Sequence, residues 1–360
     1  MSKNILVIFG GVSPEHDVSI QSAKNIIGLL GKHTAIPLYI TKEGKWLIYD
    51  GKPDNIEGIN WEKYGTPAII SPDRTNRGLL RIVGDRIKTI LVDVVFPVLH
   101  GPHGEDGTVQ GLCELAGLPF VGCGVGASAV AIDKSLARMI ARSLKIQHID
   151  FVSFNFGEFM QDKAGILKKI RYKFGYPCFV KPATSGSSMG INKAKSRKEL
   201  EQAIMYAFSY SPRVMVERAS SGREIEVGIL GTGVNAKASL AGEIIPEGEF
   251  YDYAAKTEKQ GSKLIVPADI KEETLFLVQK YALEIYRAIG GKGLSRVDFF
   301  LEGDKVFFSE INTIPGFTAI SLYSKMWEAS GVGRFELIDA LIEMVAPVKM
   351  NDLPLENIRS

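Results

Sequence analysis

The chain has 360 residues, of which 45% are apolar and 23% are charged, so it is long enough for two or three folded domains. Lys and Arg total 43 against 41 for Asp and Glu, and a net charge of +2 provides no field to hold nucleic acid. Three widely spaced cysteines exclude a disulfide framework and a zinc cluster. Without a membrane-spanning run or a signal sequence, the composition predicts a cytoplasmic enzyme.

The amino-terminal residues alternate between strands and helices. A buried strand over residues 5–9, a glycine turn and a helix over residues 19–30 predict an α/β domain. Its later elements are a strand over residues 92–99, a polar glycine loop over 100–107, a helix over 108–116 and a short strand over 119–121. We expect this domain to occupy residues 1–122.

A smaller α+β unit is expected over residues 123–213, with a helix over 128–144 and strands over 179–181 and 190–193. From residue 214 to residue 360 strands dominate. They are predicted over residues 214–217, 224–230, 237–245, 264–266, 296–301 and 305–311, with a helix over 272–289. The boundaries rest on this change from alternating elements to consecutive strands.

The loop over residues 181–190 is rich in small and hydroxyl-bearing residues and follows a strand that ends at Lys181. Such a loop brings backbone N–H groups and a positive charge close to an anion, which is typical of a phosphate lid, although an exposed hairpin loop has the same composition. It lacks the Gly-Lys-Ser/Thr of a Walker loop. The glycines of residues 122–126 lack the acidic partner that a dinucleotide site requires.

Two strands near the carboxyl terminus carry a second polar group. Alternation places Arg296 with Asp298 on one face of the first strand and Glu310 with Asn312 on one face of the second. Oxygen ligands without His or thiolate suit magnesium bound to substrate phosphates. Polar-faced strands with salt bridges remain the alternative.

The segment that begins at His100 has two histidines and two acids among glycines, which predicts an irregular structural or substrate-orienting loop rather than a metal site. Glu15 lies just ahead of the first helix, where a carboxylate is favoured by the helix dipole. It is either a helix-terminal charge or an anchor for a substrate ammonium.

In order along the chain, these segments resemble the D-alanine–D-alanine ligases of the ATP-grasp superfamily. The matching motifs are Gly-Gly-x-Ser-x-Glu ending at Glu15, His-Gly-x-x-Gly-Glu-Asp-Gly from His100, Ala-x-x-x-Asp-Lys ending at Lys134, the Lys181 loop and Glu-x-Asn-Thr-x-Pro-Gly from Glu310. The resemblance implies a three-domain α/β and α+β ATP-grasp architecture with an amino-terminal parallel-sheet domain. ATP is then held between the other two domains.

The resemblance also implies a role for each matching residue. Phosphate binding falls to Lys134, Lys181 and Lys256. Adenine is bordered by Glu217, Arg218 and the backbone of Ala219, and ribose by Glu224. Two magnesium ions, which Mn²⁺ can replace, are held by Asp298, Glu310 and Asn312.

In this family ATP phosphorylates one D-alanine, and the amine of a second D-alanine attacks the acyl phosphate. The resemblance implies that Glu15 and His100 bind the first D-alanine, and that Ser187 links the lid to Glu15. Arg296 and the backbone N–H of Gly316 stabilise the oxyanion. The second carboxylate is held by Ser321 and the backbone of Leu322.

The chain departs from the family after Lys256, where Thr257 stands in place of the usual Tyr. This departure leaves D-lactate or D-serine open as the second substrate. A nucleotide-binding module without chemistry is the remaining alternative. The expected partners are D-alanine and ATP, with no nucleic acid and no membrane, and we expect a homodimer.

Overall fold

The computed structural model describes residues 1–49, 56, 60–186, 189–246 and 262–345. Within these ranges the chain forms three sheets covered by helices, which confirms the expected α/β and α+β architecture. No helix in the described ranges has the length and apolar character needed to span a membrane.

A seven-stranded sheet forms the amino-terminal part, with strand order β6-β5-β4-β3-β2-β1-β7. Its strands are β1 (Asn4–Gly10), β2 (Thr34–Ile40), β3 (Trp46–Ile48), β4 (Thr66–Ile70), β5 (Gly78–Val83), β6 (Arg86–Leu91) and β7 (Val94–Pro97). Its helices are α1 (His16–Gly28), α2 (Trp61–Tyr64) and α3 (Thr108–Ala116). Strand β1 pairs in parallel with β2 and β7, whereas the other pairs are antiparallel, so the expected parallel sheet is a mixed one.

Strand β1 is buried on both faces because helices cover the sheet from both sides. Ile5, Val7 and Phe9 pack in the cluster that includes α1, and the alternate residues Leu6 and Ile8 pack in the cluster that includes α3. The turn after β1 therefore brings the start of α1 to the carboxyl edge of the parallel strands, where ligands commonly bind in α/β sheets. The expected strand over residues 119–121 is reduced to an isolated bridge.

A four-stranded antiparallel sheet follows, with strand order β10-β9-β11-β8. Its strands are β8 (Phe151–Asn155), β9 (Cys178–Pro182), β10 (Asn192–Ala194) and β11 (Arg213–Arg218). The helices beside it are α6 (Phe156–Gln161), α7 (Lys163–Lys173) and α8 (Arg197–Ala207), and two earlier helices, α4 (Val125–Ile132) and α5 (Lys134–Ser143), connect it to the amino-terminal sheet. Strand β9 ends one residue after Lys181, so this lysine lies at the start of the glycine-rich loop.

The third sheet has five antiparallel strands in the order β14-β13-β12-β15-β16. They are β12 (Arg223–Leu230), β13 (Lys237–Pro246), β14 (Ser262–Ile265), β15 (Leu294–Glu302) and β16 (Lys305–Asn312). The helices of this part are α9 (Glu272–Ala288), α10 (Leu322–Ala329) and α11 (Arg334–Glu343). Ala137 and Ala141 of α5 pack in the same core as Val278 of α9 and Val297 of β15, so α5 is attached to this sheet.

The expected single helix over residues 128–144 is wrong. The chain breaks at Asp133, whose ψ of 99° is extended, and α4 and α5 lie on either side of it. The Asp133 carboxylate accepts hydrogen bonds from the backbone N–H groups of Ser135 and Leu136, at 2.9 and 3.1 Å. An Asp that bonds its own backbone in this way ends one helix and caps the next. Lys134 is consequently the first residue of α5 and not part of a continuous helix.

The expected boundary between residues 213 and 214 divides a sheet. Strand β11 pairs with both β8 and β9, so its residues belong with the central strands. We propose that the central unit ends after Arg218. The other boundary, after residue 122, stays a prediction.

The cap at Asp133 can be tested by unfolding. We expect Asp133→Ala to lower the free energy of unfolding by about 1 kcal/mol, because two backbone N–H groups lose their acceptor. Asp133→Asn retains a capping oxygen and should stay close to wild type in urea titrations. Equal stabilities of the Ala variant and wild type would contradict the assigned cap.

Candidate functional site

Lys134 joins three segments at one end of a narrow cleft. Its backbone N–H donates to the Ala183 carbonyl at 2.9 Å, and its Nζ donates to the Ser185 carbonyl at 2.7 Å. The same Nζ lies 3.1 Å from a carboxylate oxygen of Glu310. The first turn of α5, the Lys181 loop and the end of β16 are therefore held together by one lysine.

Strands β15 and β16 bring the predicted acidic residues face to face. Asp298 lies opposite Glu310, and Arg296 lies opposite Asn312. Both oxygens of Asp298 accept from the Arg296 guanidinium, at 2.8 and 2.7 Å, and the Asn312 amide donates to one of them at 3.0 Å. The convergence expected from strand alternation is confirmed.

The donor set fits a divalent cation. Two carboxylates and an amide oxygen are ligands that Mg²⁺ prefers, and no thiolate or imidazole is among the three. A cavity of about 20 Å³ lies beside Glu310 and Asn312 and is bordered by Lys134 and Thr313. A space of this size admits one water or one ion.

Lys181 belongs to a buried ion triad, which we define as Arg138, Glu217 and Lys181. One oxygen of Glu217 lies 2.6 Å from the Lys181 Nζ, and the other lies 2.6 Å from Nη1 of Arg138. Burial by itself raises the pKa of the Glu217 carboxyl, but the charges of Arg138 and Lys181 outweigh burial and lower that pKa below its usual value. Glu217 is therefore a carboxylate with a cation at each oxygen.

The adenine-binding residues implied by the resemblance lie at the end of β11. Arg218 makes a two-pronged ion pair with Glu302, at 2.7 and 2.9 Å, and its guanidinium lies 5.0 Å from the centre of the Phe307 ring. It also donates to the Ala219 carbonyl at 3.3 Å. Glu224, the predicted ribose ligand, is partly buried on β12. Arg218 thus has a protein partner that the sequence did not indicate.

Glu15 lies where the Lys181 loop approaches the glycine loop that begins at His100. It immediately precedes α1 and is 7% exposed. A side chain in place of Gly101 or Gly186 would bring its Cβ to 2.5 Å from the Glu15 carboxylate. Gly101 also has a φ of +73°, which other residues rarely adopt. Both loops can close over Glu15 because these positions are glycine.

His100 connects the amino-terminal part to the loop after β16. Its Nδ1–H donates to the Ile314 carbonyl at 3.1 Å, so Nε2 accepts from the Ser22 hydroxyl at 3.1 Å. Burial lowers the pKa of His100, against the opposing charge of Glu15, and favours this neutral ring. Ser22 also accepts from the Phe317 N–H at 3.3 Å. The end of the cleft where the resemblance places the substrate is assembled from segments 295 residues apart in sequence.

Gly316, Ser321 and Leu322 lie on that same loop and the start of α10. The Ser321 hydroxyl accepts from the Thr318 N–H at 2.9 Å, and a Cβ at Gly316 would lie 3.1 Å from this hydroxyl. Leu322 is the first residue of α10, and its side chain is buried against Met326. Its backbone N–H therefore lies at a helix amino terminus, where N–H groups are available to an anion such as a carboxylate. Ser187, Lys256 and Thr257 lie outside the described residues.

Three further charged residues at the site were missed by the sequence analysis. Arg138 follows Lys134 by four residues on α5, and this helical spacing was the available signal. Glu226 alternates with Glu224 on β12, and its carboxylate lies 3.1 Å from the Arg296 Nε. Glu105 belongs to the loop read as structural, where it accepts from the Gly101 N–H at 3.1 Å. Each of the three can be assigned to the site only once the residue that it contacts is known.

Two family models match most of the chain. The model described as D-ala D-ala ligase N-terminus matches residues 4–123, and the one described as D-ala D-ala ligase C-terminus matches residues 140–343. The chain belongs to the D-alanine–D-alanine ligase family. Members of this family use ATP and a divalent metal, in agreement with the lysines and carboxylates of the cleft.

Relatives resemble this ligase-family chain over nearly their whole length. A D-alanine–D-alanine ligase from Acetivibrio thermocellus is 46% identical, with 97% of each chain covered, and one from Caldicellulosiruptor bescii is 46% identical, with 94% of each covered. Among solved structures, the VanG D-Ala:D-Ser ligase from Enterococcus faecalis has a TM-score of 0.86 at 37% identity and covers 96% of this chain and 100% of its own. The Coxiella burnetii D-alanine–D-alanine ligase has a TM-score of 0.84 at 35% identity, with 96% of this chain and 94% of its own covered. The shared fold therefore extends beyond the two matched segments.

Glu105 provides a pH-dependent test of the site. Burial and the neighbouring Glu15 carboxylate raise the pKa of Glu105 from 4.5 to about 8. Because the unfolded chain releases this proton at lower pH, its stabilising contribution is complete below pH 4.5 and lost as the pH rises through about 8. We expect wild type to lose at least about 1 kcal/mol of unfolding free energy relative to Glu105→Gln over this interval. A difference that stays constant in urea titrations from pH 4.5 to pH 8.5 would contradict the raised pKa.

Proposed function

We propose that this protein ligates two D-alanines to D-alanyl-D-alanine at the expense of ATP, through an acyl phosphate, for the synthesis of peptidoglycan precursors. The observation that carries the proposal is the convergence of phosphate-binding lysines, acidic metal ligands and Arg296 on one cleft next to Glu15 and His100. A module that only bound nucleotide would not need Arg296 or the amino-terminal anchor. The ligase names of the relatives support the same reaction.

Transfer of the phosphoryl group requires dispersed positive charge around the phosphates. Lys134, Lys181 and Lys256 bind the phosphates, and Glu217, Arg218, Ala219 and Glu224 border the nucleoside. Asp298, Glu310 and Asn312 hold two Mg²⁺ ions, for which Mn²⁺ can substitute, and these ions supply further charge neutralisation. Two of these carboxylates also have cation partners within the protein, Asp298 with Arg296 and Glu310 with Lys134.

The amino-terminal loops orient the first D-alanine. Glu15 accepts from its ammonium group, with His100 beside it and Ser187 linking the lid to Glu15. When the second amine attacks, Arg296 and the Gly316 N–H donate to the oxyanion, and one such donor is worth about 3 kcal/mol. Ser321 and the Leu322 N–H hold the carboxylate of the second D-alanine.

The second substrate is the finer point of the proposal. Similarity to a D-Ala:D-Ser ligase, together with Thr257 at the usual Tyr position, favours D-serine as the second candidate. For D-lactate, the only support is that Thr257 stands in place of the usual Tyr. Because ATP is an intracellular metabolite, we propose a cytoplasmic location, and we propose a homodimer by analogy with the family.

Competition between nucleophiles identifies the product. We expect mass spectrometry of a reaction with ATP, magnesium and equal D-alanine, D-serine and D-lactate to show mainly D-alanyl-D-alanine, with ADP and phosphate released in equal amounts. A dominant D-alanyl-D-serine or depsipeptide product would reassign the second substrate. ADP release independent of D-alanine would reject the ligase itself.

A charge at the metal site provides the second test. We expect Glu310→Ala to lower turnover by at least about a hundredfold, because it removes a ligand from the ion that neutralises the transferring phosphoryl group. The matched control is Glu328→Ala, which removes an exposed carboxylate paired with Arg334. Circular dichroism should show both variants folded. Near wild-type phosphate release by a folded Glu310→Ala variant would refute the assigned role.

A further inference from the structure

Arg138 is a completely buried cation that neither the sequence motifs nor the proposed reaction uses. Its Nε donates to the Ser309 carbonyl at 3.1 Å, and Nη1 donates to the Ile149 carbonyl at 3.2 Å. Ser309 immediately precedes the predicted metal ligand Glu310. The guanidinium is thus fixed by backbone atoms on two sides, one of them in the strand that carries Glu310.

The remaining strong contact of Arg138 is the ion pair with Glu217. Within the described residues, its Nη2 has no hydrogen-bond partner, so the guanidinium does not have a full set of structural hydrogen bonds. The ion pair between Arg138 and Glu217 is as short as the one between Lys181 and Glu217, with N–O distances of 2.6 Å in both. One carboxylate is shared between a buried cation and a cation at the cleft.

The charges of the buried ion triad do not cancel. Arg138 and Lys181 carry two positive charges and Glu217 carries one negative charge, which leaves a net charge of +1. Lys181 is the member next to the glycine-rich loop, and its side chain is 12% exposed, whereas those of Glu217 and Arg138 are 4% and 0% exposed. The surplus positive charge is therefore accessible only through Lys181. Without Arg138, Glu217 would cancel it.

We propose that Arg138 is a positioning residue for nucleotide phosphate binding. It neutralises Glu217, so that Lys181 retains its charge for the phosphates, and it holds the carboxylate in the orientation that directs the Lys181 Nζ into the cleft. The role rests on the proposed function, because it presumes a nucleotide in this cleft. It acts through Lys181 and Glu217 and requires no contact between Arg138 and the ligand.

The proposal predicts different effects on the binding of the phosphates and on the binding of the nucleoside. Loss of one positive charge near a phosphate weakens its binding, whereas uncharged adenosine is insensitive to that charge. We expect Arg138→Met to raise the Kd of ADP, relative to the Kd of adenosine, by about tenfold or more at low salt. A purely structural role for Arg138 would raise both dissociation constants together.

Two variants should restore the ratio of the ADP and adenosine dissociation constants. Arg138→Lys retains the charge beside Glu217. The double variant Arg138→Met/Glu217→Gln removes the carboxylate together with the arginine, so Lys181 is again the surplus charge. It is compared with Glu217→Gln alone, because both then share any effect of Glu217 on the binding of adenine. The matched control is Arg142→Met, which removes an exposed arginine one turn further along the same helix and should leave the ratio unchanged.

The measurement is calorimetric titration of the full chain with ADP and with adenosine, both in magnesium buffer, after circular dichroism has established folding. If Arg138→Met is unfolded, Arg138→Gln replaces it, because the amide is neutral and still donates to a backbone carbonyl. An unchanged ratio in a folded neutral variant, or failure of the double variant to recover it, overturns the proposal. Absence of ADP binding by wild type would instead reject the proposed function, so the two failures are distinguishable.

Discussion

Buried charges must be compensated, and this requirement organises the cleft between the central and carboxyl-terminal sheets. Lys134 is paired with Glu310, Lys181 with Glu217, and Arg296 with Asp298. The first two pairs join elements that are separate in sequence, whereas Arg296 and Asp298 lie two residues apart on β15. Each of these three cations therefore has a carboxylate partner within the protein.

The same pairs prepare the cleft for its ligands. A carboxylate that lies beside a guanidinium or an ammonium is kept ionised and held in one orientation. Glu226 and Asp298 hold Arg296 from two sides, which fixes the position of an otherwise flexible side chain. Hydrogen-bond donors that are fixed in advance need to move less when negative charge develops in a transition state.

The substrate end depends on contacts between distant parts of the chain. His100 bonds the Ile314 carbonyl, Asn25 donates to the Phe317 carbonyl at 2.6 Å, and Ser22 bonds both His100 and Phe317. These hydrogen bonds attach the loop that contains Gly316 and Ser321 to helix α1. A displacement of the amino-terminal sheet would therefore move this loop, which couples the geometry of the loop to the packing of α1.

The sequence by itself indicated several of the elements and those site residues whose residue type and spacing are the signal. The apolar run of β1 and the alternation of Arg296 with Asp298 are local patterns, and motif order was sufficient for the family. Tertiary structure alone decided the break at Asp133, the place of β11 in the central sheet and the partners Arg138, Glu226 and Glu302. A local pattern fixes which face a side chain occupies, whereas an ion pair depends on which remote segment packs against that face.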